Sequence, residues 1–241
     1  MKPNQATLPF LNVMQNEMVQ SVVHDLRTPM TIIKGYMQML MSGVLGEMPE
    51  EQLELLHRSV GPLEDLILLT DNLLQSINLQ KDNVTLNLAD EDLDHMLSET
   101  IEFYQLPFQQ RNMRIFRDGN TLGAKIKVDP FWFKRVLHNL VWNAYKFTPD
   151  NGQVSFEVCH KEGGLEISIR DTGRGIPSEQ LGKIFEKYEQ AAPEKDHKMG
   201  NGLGLWICQR VMKLHGGRLS VSSVEGQGSC FSLWIPPDKV L

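Results

Sequence analysis

The sequence predicts an α+β chain, with an N-terminal helical hairpin followed by an α/β sandwich of helices on a sheet. Two observations carry that reading. Apolar residues recur with a helical period through the first third of the 241 residues, then alternate with a period of two in several later segments. The alternating segments occur in adjacent pairs as well as beside helical patterns. That arrangement favours a sandwich over a doubly wound parallel sheet.

Leu26, Met30, Ile33, Met37 and Leu40 form the first apolar stripe, and Leu53, Leu56, Val60, Leu63 and Ile67 form the second. Gly43, Gly46 and Pro49 break the helix between them, and Pro49-Glu50-Glu51 suits a new helix start. Each apolar face is wider than one neighbour covers, so the hairpin is expected to pair with a second copy as a homodimeric four-helix bundle. After Lys81-Asp82-Asn83 the rhythm changes, which divides the chain into domains 1–82 and 83–241. In the second domain, strands are expected over 84–88, 154–159, 165–169 and 231–235, with Gly163-Gly164 as a hairpin turn. Helices are expected over 93–110, 131–147, 180–186 and 203–214.

Composition narrows the function. A net charge of −6 argues against a nucleic-acid binder. No run approaches the ~18 apolar residues of a membrane span, and the most apolar helical stretch contains Glu64, Asp65 and Asp71. No basic start followed by an apolar block suggests a leader peptide. Cys159, Cys208 and Cys230 lack disulfide or metal spacing, and each lies in an apolar pattern. Core packing in a reducing cytoplasm is the expectation.

His24 lies at the edge of the first stripe and faces outward, with Thr28 one turn later. Pro29 removes a backbone donor and deprives the Asp25 carbonyl of its helical partner. A neutral imidazole can attack the γ-phosphorus of ATP with one nitrogen, while Asp25 accepts a hydrogen bond from the other ring N–H and fixes the tautomer. A surface histidine alone would be weak evidence. The surrounding His24-Asp25-Leu26-Arg27-Thr28-Pro29 resembles the phosphoacceptor box of sensor histidine kinases, whose commonest form has Glu after the His. The resemblance implies that His24 is phosphorylated, that Asp25 assists, and that Thr28 positions water for dephosphorylating a partner.

Several further pieces bear on a nucleotide. Asn139 and Asn143 leave one helical face, and an amide oxygen is a hard ligand suited to a magnesium ion that bridges phosphates. Lys146 adds a positive charge three residues later. Asp171-Thr172-Gly173-Arg174-Gly175-Ile176-Pro177 follows a strand, where an Asp can accept from an adenine amino group and glycines admit the ligand close to the backbone. Gly200-Asn201-Gly202-Leu203-Gly204-Leu205 opens a helix, whose N-terminal amides suit phosphate. It is neither a P-loop nor a dinucleotide fingerprint. Phe185-Glu186-Lys187-Tyr188 precedes a polar stretch over 189–199, and Gly226-Gln227-Gly228 leads into the last strand.

In order, these pieces resemble the N-box, first glycine box, phenylalanine box, ATP lid and second glycine box of the fold shared by histidine kinases, gyrase, Hsp90 and MutL. The resemblance implies ATP and Mg²⁺ as cofactors, with Asn143 on the metal. It places Asn139, Lys146, Asp171, Gly173, Gly175, Gly200, Gly202, Leu203 and Gly204 around the nucleotide. Gln190 stands where many members have an Arg, with Lys187 or Lys195 as substitutes, and Asn201 replaces a common Thr. The implied activity is autophosphorylation of His24, then transfer to an aspartate of a separate response-regulator receiver, with phosphatase action on that regulator as a second function. A nucleotide-gated scaffold without kinase action competes, and the phosphoacceptor hairpin counts against it.

Overall fold

The computed structural model describes residues 7–46, 48–79, 84–119, 123–189 and 202–241. The side chains of residues 7–18, His24, His57 and Asp65 fall outside that description, as do Gly200, Gln190 and Lys195 altogether. The chain divides into two compact units, Met1–Asp82 and Asn83–Leu241.

The first unit is a hairpin of α1 (Thr7–Met41) and α2 (Glu50–Asn78). The connection turns at Gly43 and Gly46, both with positive φ, and α2 starts after Pro49 with Glu50 and Glu51 in its first turn. Acids there face the positive end of the helix dipole. α1 continues through Pro29 and α2 through Pro62. Antiparallel register is set by paired polar contacts. Gln20 donates to Asn78 at 2.9 Å, Arg27 meets Asp71 at 3.4 Å, and Lys34 meets Glu64 at 2.6 Å. Among the described residues, no helix is long and apolar enough to cross a membrane.

The second unit is a five-stranded mixed sheet with helices packed against it. The sheet has the order β2 (Arg114–Arg117), β4 (Gln153–Lys161), β5 (Gly164–Asp171), β7 (Gly228–Ile235) and β6 (Arg218–Val224). Among the described strands, only β2 and β4 run parallel. A separate antiparallel pair joins β1 (Ala89–Asp92) to β3 (Lys125–Val128). Helix α3 (Leu93–Gln110) packs on β2, α4 (Pro130–Phe147) on β4 and β5, and α5 (Gly204–Leu214) on β6. Alternation explains why one sheet face is covered. Val154, Phe156 and Val158 are buried, as are Leu165, Ile167 and Ile169, while Ser155 and Glu157 between them are not. Phe108, Phe133, Leu137 and Leu140 complete this core from the helices. Asp92 and Asp129 start α3 and α4 by accepting from the amides of His95 and Trp132.

Three sequence expectations fail here. Residues 84–88 alternate but form no strand; the pairing begins at Ala89, opposite Val128. The Asn87 amide instead donates to the Asp129 side chain at 2.8 Å. Residues 180–186 form successive turns, with Lys183 bonded to Gln180 and Glu186 to Lys183. Gly182 and a single buried side chain, Ile184, give a helix little to gain there. Cys208 and Cys230 are buried as expected, but Cys159 is exposed. It sits past Phe156, where β2 no longer borders β4.

Candidate nucleotide site

The C-terminal half of α4 gathers three of the sequence motifs. Asn139 is buried on this helix, with its amide carbon 3.8 Å from where a Cβ on Gly204 would lie. That contact joins the N-box helix to the start of α5. Asn143, one turn later, is half-buried, and its side chain makes no hydrogen bond to another described residue. The two amides therefore differ in surroundings although they share a helical face. Lys146 is half-buried, with its ammonium 5.9 Å from the Phe147 ring centroid.

At the end of α4, the Phe147 carbonyl accepts from the Arg174 amide at 3.2 Å. A Cβ on Gly173 would lie 2.6 Å from that carbonyl oxygen and 2.7 Å from Asp171 Oδ1. Only glycine permits this approach. The first glycine box is thereby pressed onto the helix end, and the Arg174 guanidinium lies 4.7 Å from the Phe147 ring centroid.

Asp171 is the last residue of β5 and is buried. Its Oδ1 accepts from the amides of Gly173 at 2.8 Å and Ser229 at 3.2 Å. Oδ2 takes no hydrogen bond from another described residue. Burial pushes the carboxyl above the usual carboxylate range, and the two amide bonds oppose that rise. Ser229 belongs to β7, so the closing strand helps to orient Asp171. The sequence offered no sign of this, because Ser229 acts through its main chain.

Gly202 has φ +63°, and a Cβ there would lie 2.5 Å from the Tyr188 carbonyl carbon. The Tyr188 amide donates to the Gly202 carbonyl at 3.0 Å. These two residues pin together the ends of the stretch between the phenylalanine box and α5. Leu203 is buried and stands at the N-cap of α5, where its own side chain provides no capping hydrogen bond. Gly175 passes against the Val224 carbonyl. Asp25 and Thr28 are exposed on α1, which also carries the backbone of His24.

Two family models match the chain. The His Kinase A (phospho-acceptor) domain matches residues 14–80, and the histidine kinase-, DNA gyrase B- and HSP90-like ATPase matches residues 128–239. The chain belongs to the sensor histidine kinases. Among curated histidine kinases, it is 28% identical to the circadian input-output histidine kinase CikA of Synechococcus elongatus, over 95% of this chain and 31% of that protein. It is 30% identical to the phosphate regulon sensor protein PhoR of Pseudomonas aeruginosa, over 95% of this chain and 52% of that protein. The chain thus spans roughly a third to a half of these two sensor kinases. Full-length ShkA, crystallised in complex with AMPPNP, superposes with a TM-score of 0.67 at 25% identity, covering 91% of this chain and 45% of that one. The histidine kinase core accordingly has the expected architecture of helical region followed by α/β ATP-binding sandwich.

Proposed function

We propose that this core is an ATP-dependent protein-histidine kinase that phosphorylates His24 and passes the phosphoryl group to an aspartate of a response-regulator receiver. The observation that carries this reading is the convergence on α4. Asn139 meets the start of α5, and Phe147 meets the Asp171 turn, so one helix aligns the ends of a nucleotide site. Asp171 Oδ2 accepts from the adenine amino group, the amides at the start of α5 take phosphate, and Lys146 adds positive charge.

The donor set fits magnesium. Asn143 offers a neutral amide oxygen, and among the described residues no group of three His, Cys, Asp or Glu side chains forms a cage for a transition metal. Such a site suits an ion that keeps its waters and arrives on the phosphates. Bound Mg²⁺ would supply neutralisation of charge on the phosphate oxygens.

In the transfer, a nitrogen of His24 bonds to the γ-phosphorus as the bond to the bridging oxygen breaks and ADP leaves. Asp25 accepts from the other ring N–H and stabilises the developing imidazolium. Thr28 orients water when the regulator is dephosphorylated. The wide apolar faces of α1 and α2 support a homodimeric bundle, and three free cysteines suit a reducing cytoplasm.

Radiolabelled ATP tests the proposal. The wild-type chain should acquire acid-labile, base-stable label, and His24→Ala should acquire none. Label retained in His24→Ala would sink the assignment, and no label in either protein would favour a nucleotide-gated scaffold.

A further inference from the structure

Arg111 stands at the C-cap of α3, and its guanidinium is directed at the last turn of α4. Nη1 donates to the Tyr145 carbonyl at 2.6 Å, Nη2 to the Thr148 carbonyl at 2.8 Å, and Nε to Asp150 at 2.7 Å. The guanidinium carbon also lies 4.8 Å from the Tyr145 ring centroid. The Asp150 side chain is 65% exposed, so that ion pair is the minor contribution. The two carbonyl bonds matter more. A helix end leaves its last carbonyls without intrahelical donors, and Thr148 is only 1% exposed.

The carbonyls that end α4 are divided between two arginines. Tyr145 and Thr148 accept from the Arg111 side chain, and Phe147 accepts from the Arg174 amide. Lys146 lies between two held carbonyls, and Asn143 stands one turn before it. The main chain of Arg111 is itself tied to this region. Its carbonyl accepts from the Asn151 amide at 3.2 Å, and the Arg114 amide donates to the Gly152 carbonyl at 3.0 Å. Asn112, with φ +51°, makes the turn between α3 and β2 that allows both contacts.

We propose that Arg111 is a positioning residue for the nucleotide site: by holding the Tyr145 and Thr148 carbonyls together, it fixes the turn of α4 from which Asn143 and Lys146 meet the metal-bound phosphates. This rests on the nucleotide site proposed above, and adds to it a residue that acts through two of its contacts without touching the ligand. The property that counts is the fork. A lysine would keep the charge and the Asp150 pair, but a point charge does not span two carbonyls as a planar guanidinium does.

Calorimetric titration of the full chain tests it, with ATP over a series of Mg²⁺ concentrations and with adenosine alone. Arg111→Lys should bind Mg·ATP about tenfold more weakly and need correspondingly more Mg²⁺ for half-maximal ATP binding. Its adenosine affinity should stay at the wild-type value. Asp150→Ala, which removes the ion pair and leaves the fork, should bind both ligands as the wild type does. Titrations run well below each variant's unfolding midpoint compare folded proteins. Wild-type ATP affinity and Mg²⁺ dependence in Arg111→Lys overturn the assignment. So does an equal loss for adenosine, which a merely structural role would give, and so does the same loss in Asp150→Ala. Failure of the wild type to bind either ligand would instead overturn the nucleotide site on which the proposal rests.

Discussion

Asp171 shows how this chain orients a single carboxylate. Two main-chain amides, from Gly173 and Ser229, hold Oδ1 and leave Oδ2 as the acceptor. Asp171→Asn tests that division, because the amide has the same shape and its oxygen can keep both bonds. Its NH₂ would then replace Oδ2 and oppose another donor, the adenine amino group. The variant should fold normally and lose ATP affinity by roughly a hundredfold in equilibrium binding. Wild-type affinity would show that Asp171 does not contact the base. At this scale, residue type and spacing make Asn143, Asp171 and the glycines legible in sequence. The burial of Asn139 against Gly204, and the support from Phe147 and Ser229, are not. They arise from main-chain approach between distant segments, which leaves no pattern in a single sequence.

Helix α4 is pinned at both ends. At its start, His215 from the end of α5 accepts from the Asp129 amide on Nε2 at 2.9 Å and donates from Nδ1 to Val211 at 2.9 Å. Those bonds require neutral imidazole. At its end, Arg111 donates to the Tyr145 and Thr148 carbonyls at 2.6 and 2.8 Å and pairs with Asp150. A cation there suits the negative end of the helix dipole. Burial pushes the His215 pKa below its ordinary value; hydrogen bonding to Val211 and the charge of Asp129 oppose that shift, and Lys239 adds to it. A depressed histidine contributes stability that is complete above the unfolded pKa of about 6.5 and is lost as pH falls below it. The wild-type unfolding midpoint should therefore drop between pH 7.5 and pH 5.5. His215→Gln can accept from the Asp129 amide without titrating and should show a shallower drop. Parallel pH curves for the two proteins would exclude His215 as the source. Helices α1, α2, α3, α4 and α5 and strands β4, β5 and β7 are the legible elements, because their apolar periods extend over several repeats. Strands β1, β2 and β3, each four residues long, carry too few alternations to stand out, and β1 consists of Ala-Asp-Glu-Asp. Tertiary pairing, not propensity, makes that last segment a strand.

The whole chain leaves its hairpin unfinished. In one copy Leu26, Ile33, Tyr36, Leu55 and Leu66 are 45–66% exposed, although Leu26 and Ile33 belong to the apolar stripe read from sequence. A helical pair with so much apolar surface in water calls for a second pair. Sedimentation should give twice the 27.5 kDa chain mass, and Ile33→Glu should shift the protein towards a single copy. A wild-type monomer at micromolar concentration would count against the homodimer. The fold class was legible at this scale because the change from helical to strand period falls between the two units. The homodimer stays an expectation at this scale, resting on an apolar face too wide for one neighbour.

The Asp171 turn is walled largely by peptide groups. A Cβ would strike the Phe147 carbonyl oxygen at Gly173, the Val224 carbonyl oxygen at Gly175 and the Asp171 carbonyl oxygen at Gly228, at 2.6, 2.1 and 2.0 Å. For inhibitor design, this means that much of the surface around the carboxylate is written in backbone. A compound shaped to those peptide groups offers few side chains through which resistance can arise. Substitution at any of the three glycines would distort the turn itself along with the surface that a compound contacts.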